Sequence, residues 1–441
     1  MYSINDTVLE SNKYVKMNFN GGDLSSDAGL LLIKEFLNKM GFDKLAREIF
    51  QTNDNAGTRI HKDDENLHQV IYQTIAAYFE DDCADELTND PVFTMILGKD
   101  ALASQPTLSR FYNRMDEDTL EQFDEINKEL RRRIYSIEKP EMVLLDLDST
   151  LLETYGKQEG EEFNFHYQAR GYHPLLCYDG LKGDLLKIQL RHGSGHTSNG
   201  VIDFTQPLLD EFQNDYPGTQ LFLRGDSGFS LPKLYEQCET NGVLYIIKLK
   251  ENANLRKLSA DLTEELSEKT KDNIVDYAVV YGEFFYQAAT WEYPRRVVCK
   301  IEKPVDQMTY IRSYIVTNMD LDPERLIMLY RNRGHMENFI KESKNGFDFA
   351  AVSSRSEVVN ANRLQVRALT YNLFNWFRRL VLPKAMRRNM VDTIRLKLMK
   401  IAARVIRSAR YITFKLCSSC PYKDAFYETL DNIRRLRPQL E

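Results

Sequence analysis

Tyr330, Arg333, Glu337 and Lys344 stand at offsets of 0, 3, 7 and 14 along one stretch of sequence. At about 100° per residue, all four fall within roughly a 60° arc of an α-helix, and Lys341 at offset 11 joins the stripe. One helix over 323–344 would therefore present an acid flanked by a tyrosine and three cations. Such a face suits a surface that meets phosphates while its carboxylate holds a metal. The plainer alternative is an amphipathic helix with ion pairs such as Glu337 to Lys341. Two further acids, Asp146 and Asp148, alternate in the apolar run Met142-Val143-Leu144-Leu145-Asp146-Leu147-Asp148, so both project from one face of a strand. Asp226 closes a second such run, just before Ser227-Gly228-Phe229. Carboxylates from strand, strand and helix are what a pair of divalent cations needs. Magnesium takes oxygen ligands, and two ions about 3.5–4 Å apart can serve an in-line displacement at phosphorus. Mutual repulsion among these acids would weaken the metal-free protein. A single buried aspartate is more often a structural acceptor, and it is the co-occurrence that marks this set.

The elements that must hold these residues follow from hydrophobic periodicity. Residues 1–135 read as mostly helical, with apolar spacings of three and four over 30–40, 67–79 and 120–134. Asn53 to Gly57 and Glu80 to Glu86 read as connections. Ser104-Gln105-Pro106 reads as a helix start that would present Thr107, Ser109, Arg110, Asn113 and Arg114, side chains suited to phosphates and base edges. That helix is either part of a helix-turn-helix or a plain surface helix. From Glu141 the expectation is strands at 142–148, 172–178, 185–190, 220–226 and 243–249, with helices at 201–212 and 231–238, an α/β layout with acids at strand ends. Residues 274–287, 295–301 and 311–318 read as a β-rich insertion, and 323–344, 360–382 and 391–409 as helices.

Composition sets outer bounds. The chain has 441 residues, 43% hydrophobic and 28% charged, ordinary for a globular protein. No apolar stretch is long enough to span a bilayer, Met1 to Asp6 do not open as a secretion signal, and six scattered cysteines suit a reducing cytosol. The net charge of −7 hides an asymmetry. From Ala361 onward there are 18 Lys and Arg against 5 Asp and Glu, which leaves −20 on the preceding 360 residues. A basic block on an acidic chain is the expected footprint of a polyanion partner. The other reading is a solvated helical face.

The runs quoted above carry a family resemblance. The chain resembles a bacterial insertion-sequence transposase with a DDE catalytic triad on an RNase H-like fold. The spacing Tyr330-x2-Arg333-x3-Glu337-x6-Lys344 is similar to the signature of the superfamily named after insertion sequence 4. Leu145-Asp146-Leu147-Asp148-Ser149-Thr150, Gly156-Lys157-Gln158-Glu159-Gly160, Gly171-Tyr172-His173-Pro174-Leu175, Leu223 to Phe229 and Glu337 to Glu342 resemble the insertion sequence 1380 family in particular, over about residues 15–400. The resemblance implies Asp148, Asp226 and Glu337 as the metal-binding triad, with Asp146 as the fallback for the first acid. It implies two Mg²⁺ ions, with Mn²⁺ as a substitute. Tyr330, Arg333 and Lys344 would hold phosphates of the transposon end, Arg333 bidentately and Lys344 as a point charge. It further implies cut-and-paste transposition on double-stranded DNA, a homodimer in the synaptic complex, and a bacterial, nucleoid-associated cytoplasmic protein with no membrane partner. In relatives that form a hairpin, an aromatic of the β insertion stacks on a flipped base. Trp291 matches that role by position only, and a core tryptophan is the competing reading. The expected organisation is a helical DNA-binding region (1–135), the first part of the RNase H-like core (136–251), the β-rich insertion (252–322), the helix with the catalytic glutamate (323–350) and a basic helical region (351–441).

Two rival functions start from the same residues. Leu144 to Leu152 also resembles the first motif of haloacid-dehalogenase-like phosphatases, with Asp146 as nucleophile and Asp148 as general acid. The further acid that family wants after Ser227 is missing from Gly228-Phe229-Ser230, and the 330–344 stripe would have no purpose. The other rival is a catalytically inactive DNA-binding relative. Weaker signals are Cys417-x2-Cys420, which lacks a second pair or a nearby histidine to complete a zinc site, and the series Arg387, Arg388, Arg395, Arg404, Arg407 and Arg410, read as a DNA-facing surface.

Overall fold

The computed structural model describes residues 6–54, 56, 58–271, 275–307 and 309–440; the amino-terminal Met1 to Asn5, Asn55 and Gly57 of one expected connection, and Ile274 of one expected strand lie outside them. The chain forms two compact units, one of Glu138–Ser343 and Phe349–Leu364, the other of Met1–Ile137, Lys344–Asp348 and Gln365–Glu441. No helix among the described residues is long and apolar enough to cross a membrane.

The first unit is built on one sheet of eight strands: β1 (Met142–Ser149), β2 (Leu175–Asp179), β3 (Leu185–Gln189), β4 (Gln220–Gly225), β5 (Leu244–Leu249), β6 (Ala278–Tyr286), β7 (Arg295–Lys303) and β8 (Ile311–Thr317). Their order is β6-β7-β8-β5-β4-β1-β2-β3. β1, β4 and β5 run parallel, while β1-β2-β3 is an antiparallel meander. Central parallel strands have both faces covered and so read as continuous apolar runs. β1 obeys this: Val143, Leu145 and Leu147 are fully buried on one face, and Asp146 is fully buried on the other. Helices α1 (Val201–Asp215) and α2 (Pro232–Thr240) provide the crossovers that parallel pairing demands.

Residues 252–322 hold two short helices, α3 (Ala253–Leu258) and α4 (Ala260–Lys269), before the strands. β8 then pairs antiparallel with β5, so β6 to β8 lengthen the main sheet. The next helix is α5 (Pro323–Arg331), started by Pro323 in the first turn. Leu326 and Ile327 pack with Ile246, Val298, Ile315 and Met319, which fixes α5 against this part of the sheet. Each such buried side chain contributes about 1.5–3 kcal/mol.

One continuous helix over 323–344 does not form. α5 stops at Arg331, Asn332 and Arg333 make a tight turn, and α6 (Gly334–Phe347) begins anew. The turn is closed by i to i−3 bonds: Arg333 N–H donates to the Tyr330 carbonyl at 3.0 Å and Met336 N–H to the Arg333 carbonyl at 2.9 Å. Gly334, about 1 kcal/mol poorer than alanine in a helix interior, gives the chain its breaking point. The 60° arc inferred for an unbroken helix therefore does not apply across the break.

The second unit combines seven helices among the described residues up to 137 (Leu30–Lys39, Phe42–Ile49, Asp63–Ile75, Cys83–Glu86, Pro91–Leu97, Gln105–Asn113 and Glu117–Ile137) with the later segments. The interleaving is close. Ala28 and Gly29 N–H groups donate to the Ile401 and Met399 carbonyls at 3.1 Å each. Arg395 donates to the carbonyls of Ile75 (2.7 Å), Thr74 (2.9 Å) and Gly346 (2.6 Å). The expected helix over 391–409 is a correction: one α-helical turn (Val391–Ile394) runs into a π-helical turn (Arg395–Met399), and then Ala403–Arg407 pairs antiparallel with Ile412–Leu416. The buried bonds of Arg395 hold the widened turn, and the β-branched Val405, Ile406, Ile412 and Thr413 favour the strands that follow.

Candidate active site

Asp148 and Asp226 reach the same place because of strand register. β4 and β1 are parallel neighbours with Arg224 opposite Asp146. Carried two residues on, that register brings Asp226 level with Asp148 at the carboxyl ends of the strands, on the face they share. β4 ends at Gly225, and Asp226 turns the chain by accepting the Gly228 N–H on Oδ1 at 2.8 Å. Its Oδ2 has no hydrogen-bond partner among the described residues. Asp148 Oδ1 accepts its neighbour's amide, from Ser149, at 2.8 Å.

The other oxygen of Asp148 faces Arg333, with Nη2 to Oδ2 at 2.9 Å and both side chains about 15% exposed. Arg333 also donates to the Leu147 carbonyl at 3.3 Å, and its buried Nε has no partner among the described residues. Burial pushes the Asp148 carboxyl up to about 6; Arg333 opposes this, and the charges of Asp226 and Asp146 add to it. These acids therefore lie close enough to repel one another.

Asp146 has a different role from Asp148, although the two share a face. It is fully buried and held by Arg224, whose Nε and Nη2 lie 3.1 and 2.5 Å from its two oxygens. Arg224 Nη1 donates to the Leu329 carbonyl at 2.9 Å, in the last turn of α5. The guanidinium thus ties β1 and β4 to the carbonyl end of the helix, the end that favours a cation. Tyr330 follows directly. It is half-buried against the cluster beneath α5, and burial pushes its hydroxyl up to about 12, with Arg333 opposing and Asp226 reinforcing. One further tyrosine faces the acids. Tyr167 comes from a small sheet of Leu152–Glu153, Glu162–Asn164 and Ala169–Tyr172, donates to the Ser149 carbonyl at 3.4 Å, and is raised by burial and then by Asp148 and Asp226.

The remaining sequence-derived residues divide clearly. Glu337 lies exposed in the first turn of α6 and makes no ion pair or hydrogen bond among the described residues. No group of three or more His, Cys, Asp or Glu among those residues is gathered closely enough to hold a metal ion. Two of the three expected acids are thus together and the third stands on the adjoining helix, where Lys341 is exposed and Lys344 closes the last turn. Of the earlier helix, Arg110 is exposed and bonded to Thr107, whereas Arg114 is committed inside its unit to Asp63 at 3.0 Å, Asp54 at 3.4 Å and Thr52 at 3.1 Å. Trp291 is a core residue, 7% exposed and edge-on to Tyr235 and Tyr286, so it has no face to offer a base. Arg224 and Tyr167 are the residues that sequence reasoning did not single out. Arg224 was detectable as the cation two residues before Asp226 on an alternating strand, while Tyr167 arrives through pairings no local pattern announces.

The donors fit a hard divalent cation. Every candidate ligand is a carboxylate oxygen, and Asp148 and Asp226 leave coordination positions for phosphate and water.

Comparison with known families places nearly the whole chain in one alignment: residues 8–438 match the family described as transposase DDE domain, group 1. No curated protein matches. Among solved structures, a cryo-EM structure of the piggyBac transposase synaptic complex with hairpin DNA is similar at 13% identity and a TM-score of 0.40, over 85% of this chain and 80% of that one.

Proposed function

The chain belongs to the group 1 family of DDE transposase domains, and from that premise we propose that it is a cut-and-paste DNA transposase acting at the terminal inverted repeats of an insertion sequence. The observation that carries the reading is the pair Asp148 and Asp226, brought level at the ends of adjacent parallel strands beside a buried arginine. Asp148, Asp226 and Glu337 are the proposed ligands of two Mg²⁺ ions. When bound, the ions supply an activated attacking oxygen and stabilise the leaving oxygen at phosphorus.

The chain's own groups do the rest. Arg333, held beside Asp148, offers the charge of its guanidinium to the scissile phosphate, and Tyr330 places a neutral hydroxyl donor beside it. Lys341 and Lys344 contribute charge along α6. Water attacks the phosphodiester and the 3′ oxygen leaves; that 3′-OH then attacks a target phosphodiester, exchanging one ester bond for another with no outside energy source. The meander β1-β2-β3 beside the parallel β4 and β5 supports an RNase H-like core, and the quoted motifs support membership of the insertion sequence 4 superfamily and the 1380 family. Pairing of two ends calls for a homodimer on DNA, working on the chromosome in a bacterial cytoplasm. The sealed pair Asp146–Arg224 argues against the phosphatase reading, because a nucleophile must reach its substrate.

The test uses a plasmid carrying the gene with its flanking sequence, incubated with purified protein in Mg²⁺ or in EDTA beside Asp226→Asn. The expected result is Mg²⁺-dependent breaks at paired inverted repeats, absent in the variant. Breaks that persist in Asp226→Asn, or none at all with wild type, overturn the assignment.

A further inference from the structure

The basic tail divides into two chemically distinct sets. Arg395 spends its guanidinium on buried carbonyls and Arg387 donates to the Leu382 carbonyl at 2.9 Å. Arg404, Arg407, Arg410 and Lys415 do nothing of this kind: all four are exposed, and none makes an ion pair or a side-chain hydrogen bond among the described residues. They sit on the ribbon Ala403–Arg407 and Ile412–Leu416. Its base is anchored where Ala403 and Arg404 pair with Ser25 and Leu24, and where Val405 N–H donates to the Asp23 carbonyl at 2.8 Å. Beyond that anchor, among the described residues, the two strands pair only with each other. The tip is closed by Ser408 and Tyr411, with Ser408 N–H donating to the Tyr411 carbonyl at 2.9 Å, and it carries Arg410 beside the 72% exposed Tyr411.

The register holds the informative detail. Arg404 stands directly opposite Lys415. Like charges in that position repel and weaken a ribbon, and between Asp392 and Asp424 the sequence contains eight Lys and Arg and no acid to relieve them. A folded ribbon that keeps an uncompensated cation pair, with two more arginines toward its tip, is organised for a polyanion. A two-stranded ribbon is also one of the two elements that the major groove of duplex DNA, about 12 Å wide, admits.

We propose that this ribbon is a duplex-DNA-binding surface lying along a groove, with Arg404 and Lys415 from one face, Arg407 from the other and Arg410 at the tip reaching the phosphates that line it. The proposal rests on the DNA-acting reading above and adds a contact surface to it. The four cations position the duplex through its backbone and contribute chiefly salt-dependent affinity.

The experiment measures binding of the full chain to a labelled mixed-sequence duplex of about 40 base pairs across a salt titration. It compares wild type, Arg404→Gln with Lys415→Gln, Arg407→Gln with Arg410→Gln, and a charge-matched control, Lys250→Gln with Lys257→Gln. Each ribbon variant is expected to make the slope of log affinity against log salt shallower by about 1 to 2. The melting temperature of the Arg404, Lys415 variant should be unchanged or higher, since its facing charges are gone. A wild-type slope in both ribbon variants, an equal loss in the control, or a lower melting temperature in the Arg404, Lys415 variant overturns the surface while leaving the DNA-acting reading intact. Wild type that fails to bind the duplex at low salt overturns both.

Discussion

Replacing Asp148 with asparagine should make the metal-free protein more stable, and by an amount that depends on pH. The folded chain holds this carboxyl at about 6 against an ordinary 3.8, chiefly through burial. Each decade is worth about 1.4 kcal/mol, so keeping Asp148 ionised in the fold costs about 3 kcal/mol at pH 8. Between pH 3.8 and about 6 the folded state binds the proton more tightly than the unfolded one. Stability contributed by the neutral form is therefore lost as pH rises through that window, and it stays lost above it. Asparagine mimics the neutral acid and removes the pH dependence. Arg333 is not stranded, because Asp226 and Asp146 still act on it. Asp148→Asn is thus expected to gain about 3 kcal/mol at pH 8 and well under 1 kcal/mol at pH 4. The assay is urea denaturation in EDTA followed by tryptophan fluorescence. The chain has two tryptophans, Trp291 in the unit with Asp148 and Trp376 in the other, so a Trp376→Phe background reports the relevant unit. A gain of equal size at both pH values, or a loss at pH 8, would refute the reasoning. Millimolar Mg²⁺ should stabilise the parent and leave Asp148→Asn nearly unmoved.

Other perturbations separate structure from chemistry. Arg224→Met should cost about 3–5 kcal/mol by stranding Asp146, and adding Asp146→Leu should recover much of it, read as two denaturation midpoints. Arg395→Leu should be as damaging, since three buried carbonyls lose their donor, yet any protein that still folds should keep the parental salt slope in duplex binding. At Gly171 a Cβ would lie 2.0 Å from the Leu152 carbonyl oxygen, so Gly171→Ala should part the small sheet that brings in Tyr167. A loss of about 1–3 kcal/mol together with weakened plasmid cleavage is expected, and full cleavage would count against a role for that sheet. Trp291→Ala should destabilise by about 3–5 kcal/mol as a cavity in an aromatic cluster, measured by thermal melting.

The alternation of aspartates along Met142 to Asp148, and the acid closing Gln220 to Gly225, were legible because strand periodicity is exact at two residues and parallel register does the rest. The helix was legible only in part. Periodicity from Tyr330 to Lys344 is real, but Asn332-Arg333-Gly334 breaks it, and Arg333 in that turn meets Asp148, a contact 185 residues away in sequence. The same limit hid the different fates of Asp146 and Asp148. Both share a face, and only the cross-strand arginine, visible through register, separates a sealed ion pair from an accessible acid. In the tail, charge counting found the basic block but could not divide it, since Arg395 and Arg404 differ only in what long-range packing leaves around them. For Trp291 and Arg114 the sequence left two readings open, and long-range packing separates them: Trp291 lies among Tyr235 and Tyr286, and Arg114 is paired with Asp63 and Asp54.

The interleaving of the second unit bears on how the protein is made. Its amino-terminal helices leave the ribosome first, yet the partners of Ala28, Gly29, Thr74 and Ile75 lie in residues 395–401. At about 5–20 residues per second, roughly 10 to 45 seconds separate residue 137 from residue 365. Throughout that interval the nascent helices must wait with buried-to-be carbonyls facing water or a chaperone, while the sheet bearing the acids can already close. A message cut short within the last 77 residues would therefore yield an acid-bearing sheet attached to an unfinished partner, a product suited to rapid proteolysis rather than to stray action on the genome.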